Sequence, residues 1–306
     1  MKIKLLLTVF ALVYLLPGYG QEYAVILING PVKVGSNKQD AKSLKSLVYG
    51  PLNGKDVLHL PKNAQVKLVK ADGSVCEIAK EGVYEVGSLL CSKADKSSLV
   101  EKFGNYFVSF FEVHPSSESK ENYKNSIYAI SRGEPSIVLE FPFSGVYPSE
   151  ADSIEFSWAH ACDTCQYQLN VYSETSKTLI FQKNTRQKKF KLLNPKKYLK
   201  VGMSYYWNVV SDSTREVESS NRLILSAKGD YLKTLNGIQN DIKSSLPKIS
   251  YVPKTLFIMN ELKAMDRMNY ALLYSNHVKL LYPKDKNLVN LTDRFYFDEL
   301  KQKLAD

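Results

Sequence analysis

Four cysteines in a chain of 306 residues fall into two local pairs, Cys76 with Cys91 and Cys162 with Cys165. Cross-links between near neighbours confine a chain to compact local modules, because each closed loop ties together elements that are consecutive in sequence. Whether the pairs close depends on compartment, and the N-terminus bears on that. Met1-Lys-Ile-Lys is followed by an uncharged run from Leu5 to Leu16, then by Pro17, Gly18, Tyr19, Gly20 and Gln21. This is the order of a secretory signal peptide: a basic start, an apolar core too short to span a bilayer, a helix breaker, and small residues before a cut after Gly20. Gln21, not cysteine, follows the cut, so a lipobox lipid anchor is not expected. An even cysteine count in an exported chain favours disulfides, and Cys76–Cys91 with Cys162–Cys165 is the simplest of three connectivities. In the chain-entropy account the first loop contributes roughly 3 kcal/mol and the four-residue loop roughly 2 kcal/mol.

No later segment approaches 18 uninterrupted apolar residues, so no transmembrane span is expected. A mature chain of about 286 residues has room for two or three domains. Loss of Lys2 and Lys4 with the leader lowers the formal charge from +10 to +8. A basic exported protein suits an acidic neighbour: anionic lipid, cell-wall polymer, acidic polysaccharide or another protein.

The period of the apolar residues changes along the chain. Tyr23 to Leu90 reads as short strands: Tyr23-Ala-Val-Ile-Leu-Ile-Asn, a turn at Asn29-Gly30-Pro31, then Pro31-Val-Lys-Val-Gly, Asp56-Val-Leu-His-Leu and the alternating Ala64-Gln-Val-Lys-Leu-Val-Lys. Asp72-Gly73 is the strongest hairpin signal present, and it leads into Ser74-Val-Cys-Glu-Ile-Ala and Gly82-Val-Tyr-Glu-Val. The expected product is a small curled sheet or barrel of about six strands. Between Lys93 and Ser131, Leu99, Phe103, Tyr106, Phe107 and Phe110 recur at helical spacing after a candidate cap at Ser97-Ser98, and a more polar helical segment spans 118–130. From Pro135 to Ala227 seven short strands with turn signals between them read as a β-sandwich. Beyond it, Met259, Leu262, Met265, Leu272, Leu273 and Leu280 form a broad apolar stripe closed by Pro283.

Two of these regions resemble known families. VILINGPVKV, residues 25–34, with DVLHLPKNAQVKLVKADGSVCEIAKEGVYEV, residues 56–86, resembles the periplasmic β-domain of FecR-type regulators. The resemblance implies a β-domain and no chemistry. Anti-sigma activity does not carry over, because the membrane span and the cytoplasmic sigma-binding segment of those regulators have no counterpart in this sequence. IEFSW at 154–158 and YYWNVV at 205–210 look like the facing strands of a fibronectin type III or immunoglobulin-like module, in which an early-strand aromatic packs on Tyr205 or Tyr206 and Val209. Residues 269–300 look like the second half of a tetratricopeptide-type helical hairpin. The combination resembles exported envelope proteins of Bacteroidetes-type bacteria. The expected fold class is mainly β with helical segments, in the order leader 1–20, FecR-like β-domain 21–92, helical connector 93–133, β-sandwich 134–227 and C-terminal α-helical hairpin within the tail 228–306.

The segment HACDTCQY, residues 160–167, holds two of the four cysteines and one of the four histidines. A thioredoxin-type pair needs its first thiolate at a helix N-terminus, whereas this motif lies between two expected strands. Zinc would find His160, Cys162 and Cys165 but no fourth ligand close in sequence. The expectation is therefore a stapled loop with His160 exposed beside it, no metal and no cofactor. His59, His114, His160 and His277 are scattered, Glu150, Asp152 and Glu155 read as solvated turn acids, and no hydrolase, metalloprotease or nucleotide-binding motif is present, so an enzyme is not expected. The charge concentration is the run 183–200, where Lys183, Arg186, Lys188, Lys189, Lys191, Lys196, Lys197 and Lys200 interleave with Phe190 and Tyr198 without an acid. Such a run either guards strand edges against pairing or binds a polyanion. Outside the cytoplasm that polyanion is an anionic glycan in preference to nucleic acid. The leading functional expectation is an exported, non-enzymatic binding or scaffolding protein of the periplasm or cell surface whose partner is an envelope protein. An accessory sensor of an anionic glycan or wall fragment comes second, and a thiol-disulfide oxidoreductase third.

Overall fold

The computed structural model describes residues 23–35, 41–44, 51–93, 98–112, 119–130, 137–212 and 219–305. The expected leader and the Ser97 cap lie outside them. The chain divides into two compact units, 1–113 with 248–250 and 114–247 with 251–306, so the two helices expected as one connector fall to different units.

The first unit contains β1 (Tyr23–Asn29), β2 (Lys33–Val34), β3 (Lys42–Ser43), β4 (Val57–Leu60), β5 (Gln65–Lys70), β6 (Ser74–Ile78), β7 (Gly82–Glu85), β8 (Ser92–Lys93) and α1 (Ser98–Glu112). They form two four-stranded antiparallel sheets, ordered β1-β5-β6-β8 and β3-β2-β4-β7, with the core between them. The two sheets replace the single sheet of about six strands expected, and the two added strands, β3 and β8, are two residues long and too short to show a period. A bulge in β1, where the register passes from Val25 opposite Leu68 to Leu27 opposite Lys67, reverses the alternation. Tyr23 and Val25 face the core before it and Ile28, not Leu27, after it. At the Asp72-Gly73 turn Gly73 has φ 78°, and the backbone N–H of Ser74 donates to Asp72 Oδ1 at 2.9 Å. Cys76 and Cys91 are disulfide-bonded.

Helix α1 packs on β1, β5 and β6. Its Val100, Phe103 and Phe107 are buried, and the Phe103 and Phe107 rings stack at 4.4 Å. The close approach passes through Gly104, where an added Cβ would overlap the carbonyl oxygen of Lys70.

The second unit contains α2 (Ser119–Ile130), β9 (Val138–Phe141), β10 (Gly145–Tyr147), β11 (Ser153–Ala159), β12 (Tyr167–Ser173), β13 (Leu179–Thr185), β14 (Lys189–Leu193), β15 (Ser204–Ser211), β16 (Asn221–Leu225), α3 (Asp230–Ser245), α4 (Tyr251–Ala264), α5 (Met268–Leu281) and α6 (Lys286–Ala305). Its strands make a β-sandwich of a five-stranded sheet, β10-β16-β15-β12-β13, and a three-stranded sheet, β14-β11-β9. The strand beyond the expected seven is β10, three residues long and parallel to β16. Strict alternation sends Phe156 and Trp158 from β11, and Tyr205, Trp207 and Val209 from β15, into one core. Phe156 meets Trp207 edge-to-face at 5.1 Å. Of the two candidate tyrosines, Tyr205 is the core residue, while Tyr206 points the other way and stacks on Tyr172.

The tail is helical, with α4 and α5 packed as a helical pair extended by α3 and α6. The single apolar stripe expected across it is broken. Asp266, at φ 58°, ends one helix before the next begins, so Met259, Leu262 and Leu272 are buried whereas Met265 is 50% and Leu280 80% exposed.

Gly104→Ala sets two effects against each other. Helix propensity alone would stabilise by about 1 kcal/mol, but overpacking against a backbone carbonyl costs about 1–3 kcal/mol. The expected outcome is net destabilisation of the first unit, read as a lower urea midpoint for its transition; a stabilised variant would show that α1 does not sit against β5.

Candidate functional site

The basic run passes along the strands that end both sheets, through the turn between them and into the turn beyond. β13 is the edge of the five-stranded sheet and β14 the edge of the three-stranded one, and the chain passes between them through residues 186–188. In β14 Leu192 turns inward while Lys189, Lys191 and Leu193 face out. Phe181 stacks on Phe190 at 5.7 Å and meets Tyr198 edge-on at 5.2 Å, which closes the apolar gap between the edges. Lys197 lies over the Tyr198 ring at 5.8 Å. Lys183, Arg186, Lys189, Lys191, Lys196, Lys197 and Lys200 are exposed, and among the described residues none of the seven forms an ion pair. Lys188 is the exception, bound to Asp163 at 3.2 Å.

That pair joins the basic hairpin to the loop between β11 and β12. In this loop Cys162 and Cys165 are disulfide-bonded with Cα atoms 5.7 Å apart. The loop contains no helix, so no helix N-terminus faces either sulfur. His160 departs from expectation: it is 4% exposed, not a surface bystander. The loop folds back over β12, so that His160 Nδ1 lies 3.2 Å from the Tyr167 hydroxyl, which donates to the carbonyl of Cys162 at 2.9 Å. Cys165 is buried with it.

His160 and Lys188 border a common cavity of about 370 Å³, with Tyr123, Glu140, Trp158 and Phe297 among its walls. Glu140 was not among the site residues expected from the sequence. A bulge in β9, where Ser157 pairs with Phe141 but Trp158 pairs with Leu139, interrupts the alternation at Glu140. Its carboxylate accepts a hydrogen bond from Tyr123 of α2 at 2.8 Å. Burial pushes the carboxyl above its ordinary value, and hydrogen bonds from Tyr123 and Ser157 act against that. The one available signal was an acid in the otherwise apolar segment Ile137-Val-Leu-Glu-Phe. The other carboxylates have separate roles: Glu150 accepts from the backbone N–H of Gly229 at the start of α3, and Glu155 sits opposite Lys191 in the β11–β14 register. Cys76, Cys91 and His59 belong to the other unit, where His59 Nε2 lies 3.1 Å from the carbonyl oxygen of Gly35. No helix among the described residues is long and apolar enough to cross a membrane.

No protein-family model matches the chain, the FecR-type pattern included, and no curated protein matches it. Solved structures similar to it include the titin kinase with its flanking domains, at 11% identity and a TM-score of 0.22, covering 35% of this chain and 19% of that one. Another is the FN1–FN3 domains of chicken CNTN1, at 14% identity and a TM-score of 0.21, covering 68% of this chain and 56% of that one. The chain thus spans less than two thirds of either structure. The assignment of a β-sandwich rests on the two sheets and their shared core.

Glu140 makes stability pH-dependent in a defined direction. A carboxyl whose value is raised by folding holds its proton more tightly in the folded chain, so its contribution to stability falls as pH rises from the unfolded carboxylate range through the raised value. Glu140→Gln keeps an oxygen for Tyr123 and removes that dependence. The stability difference in favour of the variant should therefore grow between about pH 4 and about pH 8; equal differences in urea midpoint at both pH values would contradict it.

Proposed function

We propose that the chain is an exported, non-enzymatic binding or scaffolding protein of the cell envelope, periplasmic or at the surface, with its partner contact on the sandwich or the helical tail. The observation that carries this reading is the pairing of all four cysteines, one disulfide in each unit, which suits folding in an oxidising compartment. In this reading the first unit is a FecR-like β-domain and the sandwich a fibronectin type III-like or immunoglobulin-like module, of a kind that binds or spaces. The test is to express the full chain in a bacterium with a two-membrane envelope, fractionate the cells and crosslink intact envelopes. The expected result is a mature chain beginning at Gln21, unreactive to thiol alkylation and captured with an envelope protein. A cytoplasmic chain that keeps Met1 and four alkylatable thiols would sink the reading.

A second reading is favoured by the basic edge, where seven exposed cations lack an acidic partner among the described residues. Here the protein is an accessory sensor that holds an anionic glycan or wall fragment across β13 and β14. Lysines and arginine attract the charge, and the rings of Phe190 and Tyr198 supply apolar contact. The expected result is retention on an acidic polysaccharide column at low salt and release as salt screens the charges. Replacing Lys189, Lys191, Lys196 and Lys197 together by Gln should weaken binding about tenfold or more. No retention of the parent chain at low salt would overturn the reading.

A further inference from the structure

The burial of His160 changes what the loop before β12 can do. A ring nitrogen of His160 and the Sγ atoms of Cys162 and Cys165 all lie within 4.8 Å of one another. Two thiolates bound at ~2.3 Å to a tetrahedral zinc ion stand roughly 3.8 Å apart, whereas these two sulfurs are bonded to each other, so only after reduction, when they separate, can they take places around one ion. We propose that, once the Cys162–Cys165 disulfide is reduced, His160, Cys162 and Cys165 bind a single zinc ion, with water in the fourth position. Disulfide and metal site are then mutually exclusive states of one loop.

The ring of His160 has a hydrogen-bond partner on Nδ1. The Tyr167 hydroxyl has one proton, and it goes to the carbonyl of Cys162. Its contact with His160 Nδ1 is therefore one in which the imidazole N–H donates. That hydrogen bond selects the neutral tautomer with its lone pair on Nε2, and a partner on the second ring nitrogen is what orients a ligating histidine. Tyr167 is the positioning residue in this arrangement.

The loop also has anchors that do not involve the disulfide. The backbone N–H of Gln166 donates to Asp212 Oδ1 at 3.1 Å, and that of Asp212 donates to the carbonyl of Gln166 at 3.0 Å. At the other end the N–H of Trp158 donates to the carbonyl of Lys188 at 3.1 Å. Reduction thus frees the sulfurs while the loop ends stay fixed. Cys162 is only partly buried, which leaves a side open for metal entry. A pair of thiolates with an imidazole suits zinc, not calcium or magnesium. Opening the loop consumes one dithiol reductant: two electrons and two protons convert the disulfide to two thiols, and the reductant leaves as its own disulfide. Each thiol then releases its proton as it ligates zinc.

The test uses the full chain, reduced with a dithiol, freed of reductant without oxygen, and titrated with Co²⁺ as the spectroscopic substitute for zinc. The expected result is near-ultraviolet thiolate charge-transfer absorption with tetrahedral visible bands, displaced by Zn²⁺, absent from the oxidised chain, and absent from Cys162→Ser/Cys165→Ser, which retains Cys76 and Cys91. His160→Gln should weaken binding about tenfold or more. If that variant fails to fold, Tyr167→Phe decides, since it keeps the aromatic packing and removes only the hydroxyl; a weakening of about tenfold supports the site. Absorption that survives the double serine variant, unchanged affinity in the deciding variant, or no absorption in the reduced chain overturns the proposal.

Discussion

The second unit depends on one buried amide. Asn269, fully buried at the start of α5, accepts from the backbone N–H of Phe143 at 2.9 Å and donates to the carbonyls of Phe143 at 2.9 Å and Val146 at 3.2 Å. Phe143 lies in the short connection from β9 to β10 and Val146 within β10. Asn221 completes the arrangement by donating to the carbonyl of Pro142 at 3.0 Å. A buried polar group left unpaired costs about 1–3 kcal/mol, so the amide both satisfies the connection and fixes the helical tail on the sandwich. The cavity beside Glu140 follows from that docking, since Phe297 of α6 and Tyr123 of α2 form walls over the three-stranded sheet.

Two bulges then decide which side chains meet. In β1 the extra residue keeps an apolar strand in register with its core, and the effect is purely structural. In β9 the same device interrupts the run at an acid, placing Glu140 beside Tyr123 instead of in solvent. A carboxyl in that position is desolvated at a cost the rest of the unit must offset.

Much of the fold was legible because period, turn chemistry and cysteine spacing are local. The alternation of β5 and the Asp72-Gly73 turn follow from neighbours within ten residues, while the facing of 154–158 and 205–210 came from a resemblance to a known module. What was not legible depends on distant partners. His160 reads as a polar loop residue until Tyr167 and the disulfide fold the loop over it. Met265 and Leu280 fit an apolar stripe until a left-handed residue at Asp266 splits the helix. Glu140 is only an acid in an apolar segment until the bulge places it, and Gly104 has no evident role without the strand beneath it. The basic run was visible as charge, but that Lys183, Lys189 and Lys191 lie on two edge strands, β13 and β14, is a property of topology.

The ion pair between Lys188 and Asp163 links the basic edge to the disulfide loop, yet Asp163 is 94% exposed and Lys188 37%, so water and salt screen the attraction. Exposed pairs of this kind contribute about 0–1 kcal/mol. The loop is instead held by covalent closure, by backbone hydrogen bonds at its two ends and by the chain of contacts from His160 through Tyr167 to Cys162. Lys188 can therefore exchange Asp163 for an anionic ligand at little cost, and a ligand that takes it bares an acid beside the two cysteines. A glycan engaged at the edge and a metal engaged in the reduced loop would then act on the same short segment from opposite ends.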